Sequence, residues 1–468
     1  MVKKPGKRES EKINAGFQKA LADGNLTLAN KFLDNGAVAD EPDFITFLAR
    51  EGKNSALRFL MDAGVNIGLT EGTNWVERTP LHEAAKEGHI ETAKLFIDAG
   101  AQIGPYDTWG LTPLHLAASN GHAEICRMII ETGIDLNAQS GLDRKGRTAL
   151  FSAAECRETT EIIRMLADAG VDINIRDNFG RTALSEAVFC RNKEAVRLLL
   201  DLGCDPNSQG LDSIPAVADA AISEDADMLE MMIKAGANFL TTGLNGDDLI
   251  VRTVYYGRPE SVKVLLKYGS DPNAKDHGNN YIIAQAAVNR NSEIVQMLLD
   301  AGADVNIISG KEGITPLIEA ASYARTDTVQ ILLAAGADPN ITDKNGNTPL
   351  MSVIPEYDKT VHKKYLKIIS ILLEAGADPN IQNSWQQTAL HRAARSGQIS
   401  VIKKLLKADA DPDIKNNNDM TAFDILKKNH SDLYEKNIQA LTALLYKNRH
   451  LKEEDARKRV RTDYEFDI

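Results

Sequence analysis

Histidines, cysteines and acidic pairs are where chemistry in this 468-residue chain would have to start. His82-Glu83-Ala-Ala-Lys86 begins like a zinc-protease helix, in which two histidines four residues apart hold the metal. Lys86 stands where the second histidine is needed, so the metal-binding pair is missing. Five of the nine histidines (His82, His89, His115, His122 and His391) recur at fixed places in a repeat, while His277, His362, His430 and His450 are scattered. Asp338-x-Asn340-x-Thr342 starts like a calcium loop. There, however, Asp343 replaces the glycine of the sharp turn, and Pro349 stands in place of the final glutamate. There is no Gly-x-Ser-x-Gly elbow, phosphate loop or dinucleotide fingerprint in the sequence. The expectation is no catalytic residue, no metal and no cofactor.

The four cysteines are Cys126, Cys156, Cys190 and Cys204. Cys156 and Cys190 hold the same place in adjacent repeats. Packed helices lie about 8–10 Å apart, whereas a disulfide needs Cα atoms within about 7 Å. Free thiols are therefore expected. The chain carries 54 Lys+Arg against 66 Asp+Glu, a net charge of −12, which works against wrapping a phosphate backbone. Nucleic acid is not expected as a partner. No apolar run is long enough to span a membrane. The segment Met1 to Ser10 is charged but is followed by no apolar stretch. A cytoplasmic, reduced compartment is expected, with nuclear entry and delivery into a host cell left open.

What must position any functional residue is a repeat. Glycine closes successive units at 36, 64, 100, 133, 170, 203, 236, 269, 302, 336 and 376, and four consecutive spacings are 33. Asp409 stands where the next glycine would fall, a substitution that aspartate's tolerance of positive φ permits. In phase with these, Thr-Pro-Leu begins at 79, 112, 315 and 348, Thr-Ala-Leu at 148, 182 and 388, and Thr-Ala-Phe at 421. Thr112 suits a helix cap and Pro113 the first helical position. Leu114, Leu116, Ala117 and Ala118 predict a short helix that ends before Gly121. Ile125, Met128 and Ile129 predict a second, closed by the left-handed Gly133. Stretches such as Asp177-Asn-Phe-Gly180 suit hairpin tips.

Gly-x-Thr-Pro-Leu-His-x-Ala-Ala with Gly-His at 110–122, and Ala-Gly-Ala-Asp-Pro-Asn at 335–340 and 375–380, closely resemble the ankyrin repeat family. The resemblance covers roughly residues 11 to 446, in about thirteen units with atypical ends. It implies an all-α solenoid of stacked helix–turn–helix units with short β-hairpin tips. The expected layout is a disordered basic segment at 1–10, the repeat array at 11–446 and a charged tail at 447–468. Units near 211–240, 243–274 and 276–306 lose Thr-Pro-Leu, through drift or a functional warp in the solenoid, of which drift is the simpler explanation. The unit at Thr348 carries seven extra residues, expected around Pro355 to Lys364.

The resemblance implies that partners bind at the hairpin tips and on the concave face, seven and eight residues after the threonine. All three tryptophans (Trp75, Trp109 and Trp385) fall at tips, and so does Phe179. Phe189, Ile222, Tyr255 and Val288 stand seven after the threonine or its equivalent, and Tyr256 and Tyr323 eight after it. Such rings either anchor a partner or pack on neighbouring repeats. The expected function is that of a scaffold or adaptor, a monomer binding another protein through Trp75, Trp109, Phe179, Phe189, Ile222, Tyr255, Tyr256, Tyr323 and Trp385. One rival is an enzyme or effector toxin with its activity in the degenerate centre or the tail. Another is a plain structural spacer.

Overall fold

A computed structural model describes residues 7–69, 77–141, 146–208, 214–223, 225–240, 248–355 and 363–444. Trp75, most of the insertion after Thr348 and the tail 447–468 lie outside the described residues. Every described element is a helix, arranged as successive pairs within two compact units, 1–239 and 240–468. The helix Lys7–Ala22 starts inside the basic segment expected to lack structure. It does so because Phe17, Ala20 and Leu21 give it an apolar face to bury against the next helix, Leu26–Asp34.

The repeat beginning at Thr112 shows how sequence makes the unit. The Thr112 hydroxyl accepts the His115 N–H, Pro113 opens the helix Pro113–Ser119, and Gly121 breaks it at φ +77°. The second helix, Ala123–Glu131, buries Ile125, Cys126 and Ile129, with Met128 half-buried. Gly133 then ends it at φ +76°, and Asp409 takes the same left-handed role at +64°. First helices stack on first helices and second on second within each unit, through leucine, isoleucine and alanine side chains that are almost wholly buried. Burial of one such leucine or isoleucine contributes about 1.5–3 kcal/mol.

The hairpin tips are tighter than strands allow. Asp177 bonds its own N–H to the Arg181 carbonyl at 2.8 Å, while its Oδ1 accepts the N–H groups of Phe179 (2.9 Å) and Arg181 (3.0 Å). Asp107 and Asp343 repeat the pattern, and so do Asn383 and Asn416. Among the described residues the tips contain isolated antiparallel bridges, as at Ser309 and Ile314, and no extended strand. The Asp338-x-Asn340 segment is one rung of a ladder between repeats: Asn306 Oδ1 accepts the Asp338 N–H at 2.8 Å, and Asn340 Oδ1 the Asp378 N–H at 2.7 Å.

Histidines are the polar rivets between repeats. His82 Nδ1 accepts the Thr79 N–H at 3.1 Å, and its Nε2 lies 3.1 Å from the Leu111 carbonyl of the following repeat. His115 and His391 do the same towards Arg147 and Met420. A second set reaches backwards, with His89 to Arg50 and His122 to Lys86. His430 corrects its placement among the scattered histidines. It belongs to this second set, bonding the Arg395 carbonyl at 2.9 Å, but its repeat lacks the glycine that marks the others.

Two measurable consequences follow from these caps and rivets. Pro215, Asp248 and Tyr281 give their helices Ala216–Ile222, Leu249–Tyr255 and Ile282–Val288 no side-chain cap, a contribution typically worth about 1 kcal/mol each. Hydrogen exchange should therefore be faster in these three helices than in Pro113–Ser119. Equal protection would show that stacking alone sets local stability. The second consequence is acid sensitivity. Burial pushes His82 down to about 4 from an ordinary 6.5, and it lowers His115 and His391 as well. Unfolded histidines take up a proton near 6.5, while these folded rings resist, because protonated Nδ1 could no longer accept the threonine N–H. For His82 the stabilisation is complete above about pH 6.5 and is lost as pH falls towards 4, by about 3 kcal/mol, and His115 and His391 add to the loss in the same direction. Melting temperature should drop across that window, and less steeply in His82→Gln; identical slopes would refute the assignment.

Candidate functional site

In each unit the candidate surface is the face where the first helices end. Phe189 stands at the end of Ala183–Phe189, Tyr255 at the end of Leu249–Tyr255, and Tyr323 just past Pro316–Ser322. Along these helices alanine, leucine, isoleucine and valine are buried in the stack, while the rings at or just past their ends are left exposed. Phe189, Tyr255, Tyr256, Tyr323, Phe179 and Trp385 are each between 50% and 63% exposed. Tyr255 and Tyr256 meet edge to face with ring centres 5.3 Å apart, beside an open recess lined by Gly257, Asn289 and Arg290.

The remaining expected site residues are placed differently. Ile222 and Val288 are half-buried and offer little area to a partner. Trp109 is also half-buried, with the Arg78 guanidinium 5.0 Å from its ring centre. Arg181 approaches the Phe179 ring at 5.4 Å and leaves most of it open.

Sequence reasoning missed a line of buried charge on the same face of the first unit. Glu186, almost fully buried, binds Arg147 at 2.5 Å and Arg181 at 3.4 Å. Arg181 also binds the tip residue Asp177 at 2.8 Å. Glu83 is held likewise by Arg50 at 3.1 Å and Arg78 at 3.7 Å, and Arg78 reaches Asp107 at 3.1 Å. The signal was present as an arginine directly before Thr79, Thr148 and Thr182, with glutamate four residues after the first and third of these. Two cations against one buried carboxylate make these clusters internal braces.

Glu155, Glu186 and Cys190 bring ligand atoms within 4.8 Å of one another, a grouping the spacing did not reveal. Arg147 and Arg181 already hold Glu186 Oε2, and their positive charge opposes a cation there. All four cysteines are free thiols. Burial pushes Cys126 and Cys204 up to about 12 and, with help from Glu186 and Glu155, Cys190 to about 11. A catalytic cysteine needs the opposite shift. No described helix is long and apolar enough to cross a membrane.

Comparison with known proteins agrees with this architecture. Family models described as ankyrin repeats (3 copies) match residues 45–140, 138–210, 217–309 and 286–361, and one described as ankyrin repeats (many copies) matches 357–406. Inversin of Danio rerio is 31% identical over 81 residues, which are 16% of this chain and 8% of that protein. The chain thus spans a small part of the relative it matches, and nothing of that protein's biology carries over through so short a segment. Ankyrin repeats are protein–protein interaction modules and are generally not enzymes. Matched across most of residues 45–406, this chain belongs to the ankyrin repeat family.

Proposed function

We propose that the protein is a scaffold or adaptor that captures another protein on its first-helix faces, through aromatic anchors rather than through any reacting group. The observation that supports this is the exposure of Phe189, Tyr255, Tyr256 and Tyr323 at positions seven and eight after the repeat threonine. A ring that served only to close gaps between repeats would be covered by its neighbours. These rings leave half or more of their surface in water, at a cost in solvation that a bound partner would relieve. Large aromatic side chains give an interface much area for little lost entropy. The tip residues Phe179 and Trp385 extend the same chemistry beyond the helices. A spacer gains nothing from such rings. An enzyme would need an activated group, which the arginine-held carboxylates of Glu83 and Glu186 and the protonated thiols do not supply.

Replacing Phe189, Tyr255 and Tyr256 with alanine tests this. Exposed rings contribute little to folding, so melting should change by no more than a few degrees. Anchor rings typically cost about 2 kcal/mol or more when truncated, roughly thirtyfold in affinity each, so capture of a partner identified by pull-down should be lost. A large fall in melting temperature would mean the rings are core. Unchanged melting with unchanged capture would move the binding surface to the tips.

A further inference from the structure

Glu83, Glu186 and Glu319 all stand four residues after the threonine of their repeats, Thr79, Thr182 and Thr315. The first two are each held by two arginines. Three of those four arginines (Arg78, Arg147 and Arg181) directly precede the threonine of a repeat. At the two matching places beside Glu319 stand Ile314, before Thr315, and Asn280, before Tyr281. The Asn280 amide is already turned to Asp276, at 3.0 Å. Among the described residues no hydrogen bond or ion pair reaches the Glu319 carboxylate.

The absent arginines leave space. Asn280, Gln285, Ser309, Lys311, Ile314 and Glu319 line a cavity of about 170 Å³. Its rim charge is partly spent, because Glu312 is bound to Lys344 at 2.5 Å. Lys311 is exposed and makes no ion pair with Glu319 among the described residues. Tyr323, one helical turn beyond Glu319, presents its open ring on the same side. A half-buried carboxylate with no partner is costly, and burial raises the Glu319 pKa above the ordinary carboxylate value. A planar guanidinium relieves that cost better than an ammonium, because its fork matches both carboxylate oxygens.

We propose that this cavity receives an arginine side chain of the bound protein, its guanidinium paired with Glu319 and its stem lying along Tyr323. The pairing would repeat between two proteins what Glu83 and Glu186 do within one. This rests on the reading of the first-helix face as a protein-binding surface.

Two measurements on the full chain test it. In the first, a phage-displayed library of random dodecapeptides is selected on the wild-type chain. Arginine should be enriched among the captured peptides, which should bind Glu319→Gln about tenfold or more weakly. Ile314→Arg, which supplies the internal arginine, should lose the same peptides without melting lower. In the second, N-acetyl-arginine methylamide is titrated against the carboxyl carbon resonance of Glu319, assigned by its absence in Glu319→Gln. The resonance should move with this compound and not with N-acetyl-glutamine methylamide. Captured peptides without arginine preference, or bound equally by Glu319→Gln, would overturn the pocket and leave the protein-binding reading standing. An unmoved resonance would overturn the pocket whatever the library yields. A moved resonance with no captured peptide would support the pocket and count against the broader reading.

Discussion

A seven-residue helix cannot hold itself together. The helices Pro113–Ser119 and Ala183–Phe189 are two turns long, too short for their own hydrogen bonds to offset the cost of nucleation. Each exists because the next repeat covers its apolar side. That dependence explains the alanines: Ala117, Ala118, Ala153, Ala154, Ala220 and Ala221 are buried, and their small side chains let the second helix approach. It also explains why the closing glycines are needed. A chain that must reverse direction in one residue after each second helix needs positive φ, and Gly133 at +76° supplies it without strain.

Apolar stacking alone would let one repeat slide over another. The polar groups between repeats fix the register. His82 reaches the Leu111 carbonyl, Asn340 reaches Asp378, and each bond is directional where leucine contacts are not. Such groups come at a cost when buried unless every one finds a partner. His82, His115 and His391 meet that condition by using both ring nitrogens, one inside the repeat and one across to its neighbour.

The fold was legible because these demands fall on local sequence. A capping threonine, a following proline and a closing glycine are each tied to one backbone conformation, so their spacing reports the unit directly. His430 was misplaced for the same reason in reverse. Its bond to Arg395 is that of the second set, but no glycine precedes it to mark the phase. The buried charge was harder to read. Arg147 and Glu186 are 39 residues apart, and only stacking brings the arginine of one repeat onto the glutamate of the next. The exposed rings were located by position, but position does not determine exposure. Ile222 and Val288 share the register of Phe189 and Tyr255 and are half-buried, because a shorter side chain at the helix end reaches less far into solvent.

Register also separates the residues a repeat needs from those it can vary. Thr112 and Gly133 serve the backbone, one by capping a first helix and the other by ending a second. The position four after the threonine serves nothing in the backbone, and it is filled by Glu83, Leu116, Ser152, Glu186, Gln285, Glu319 or Arg392 in different repeats. Where glutamate occupies it, the side chain faces the neighbouring tip and must be neutralised there. Arg78 and Arg181 do so from inside the chain, which spends the charge on rigidity. Ile314 cannot, and a carboxylate at its side is left with its charge unspent. One register position therefore serves stability where two arginines reach it, and at Glu319, where Ile314 and Asn280 take their places, it is left open to the recognition proposed above.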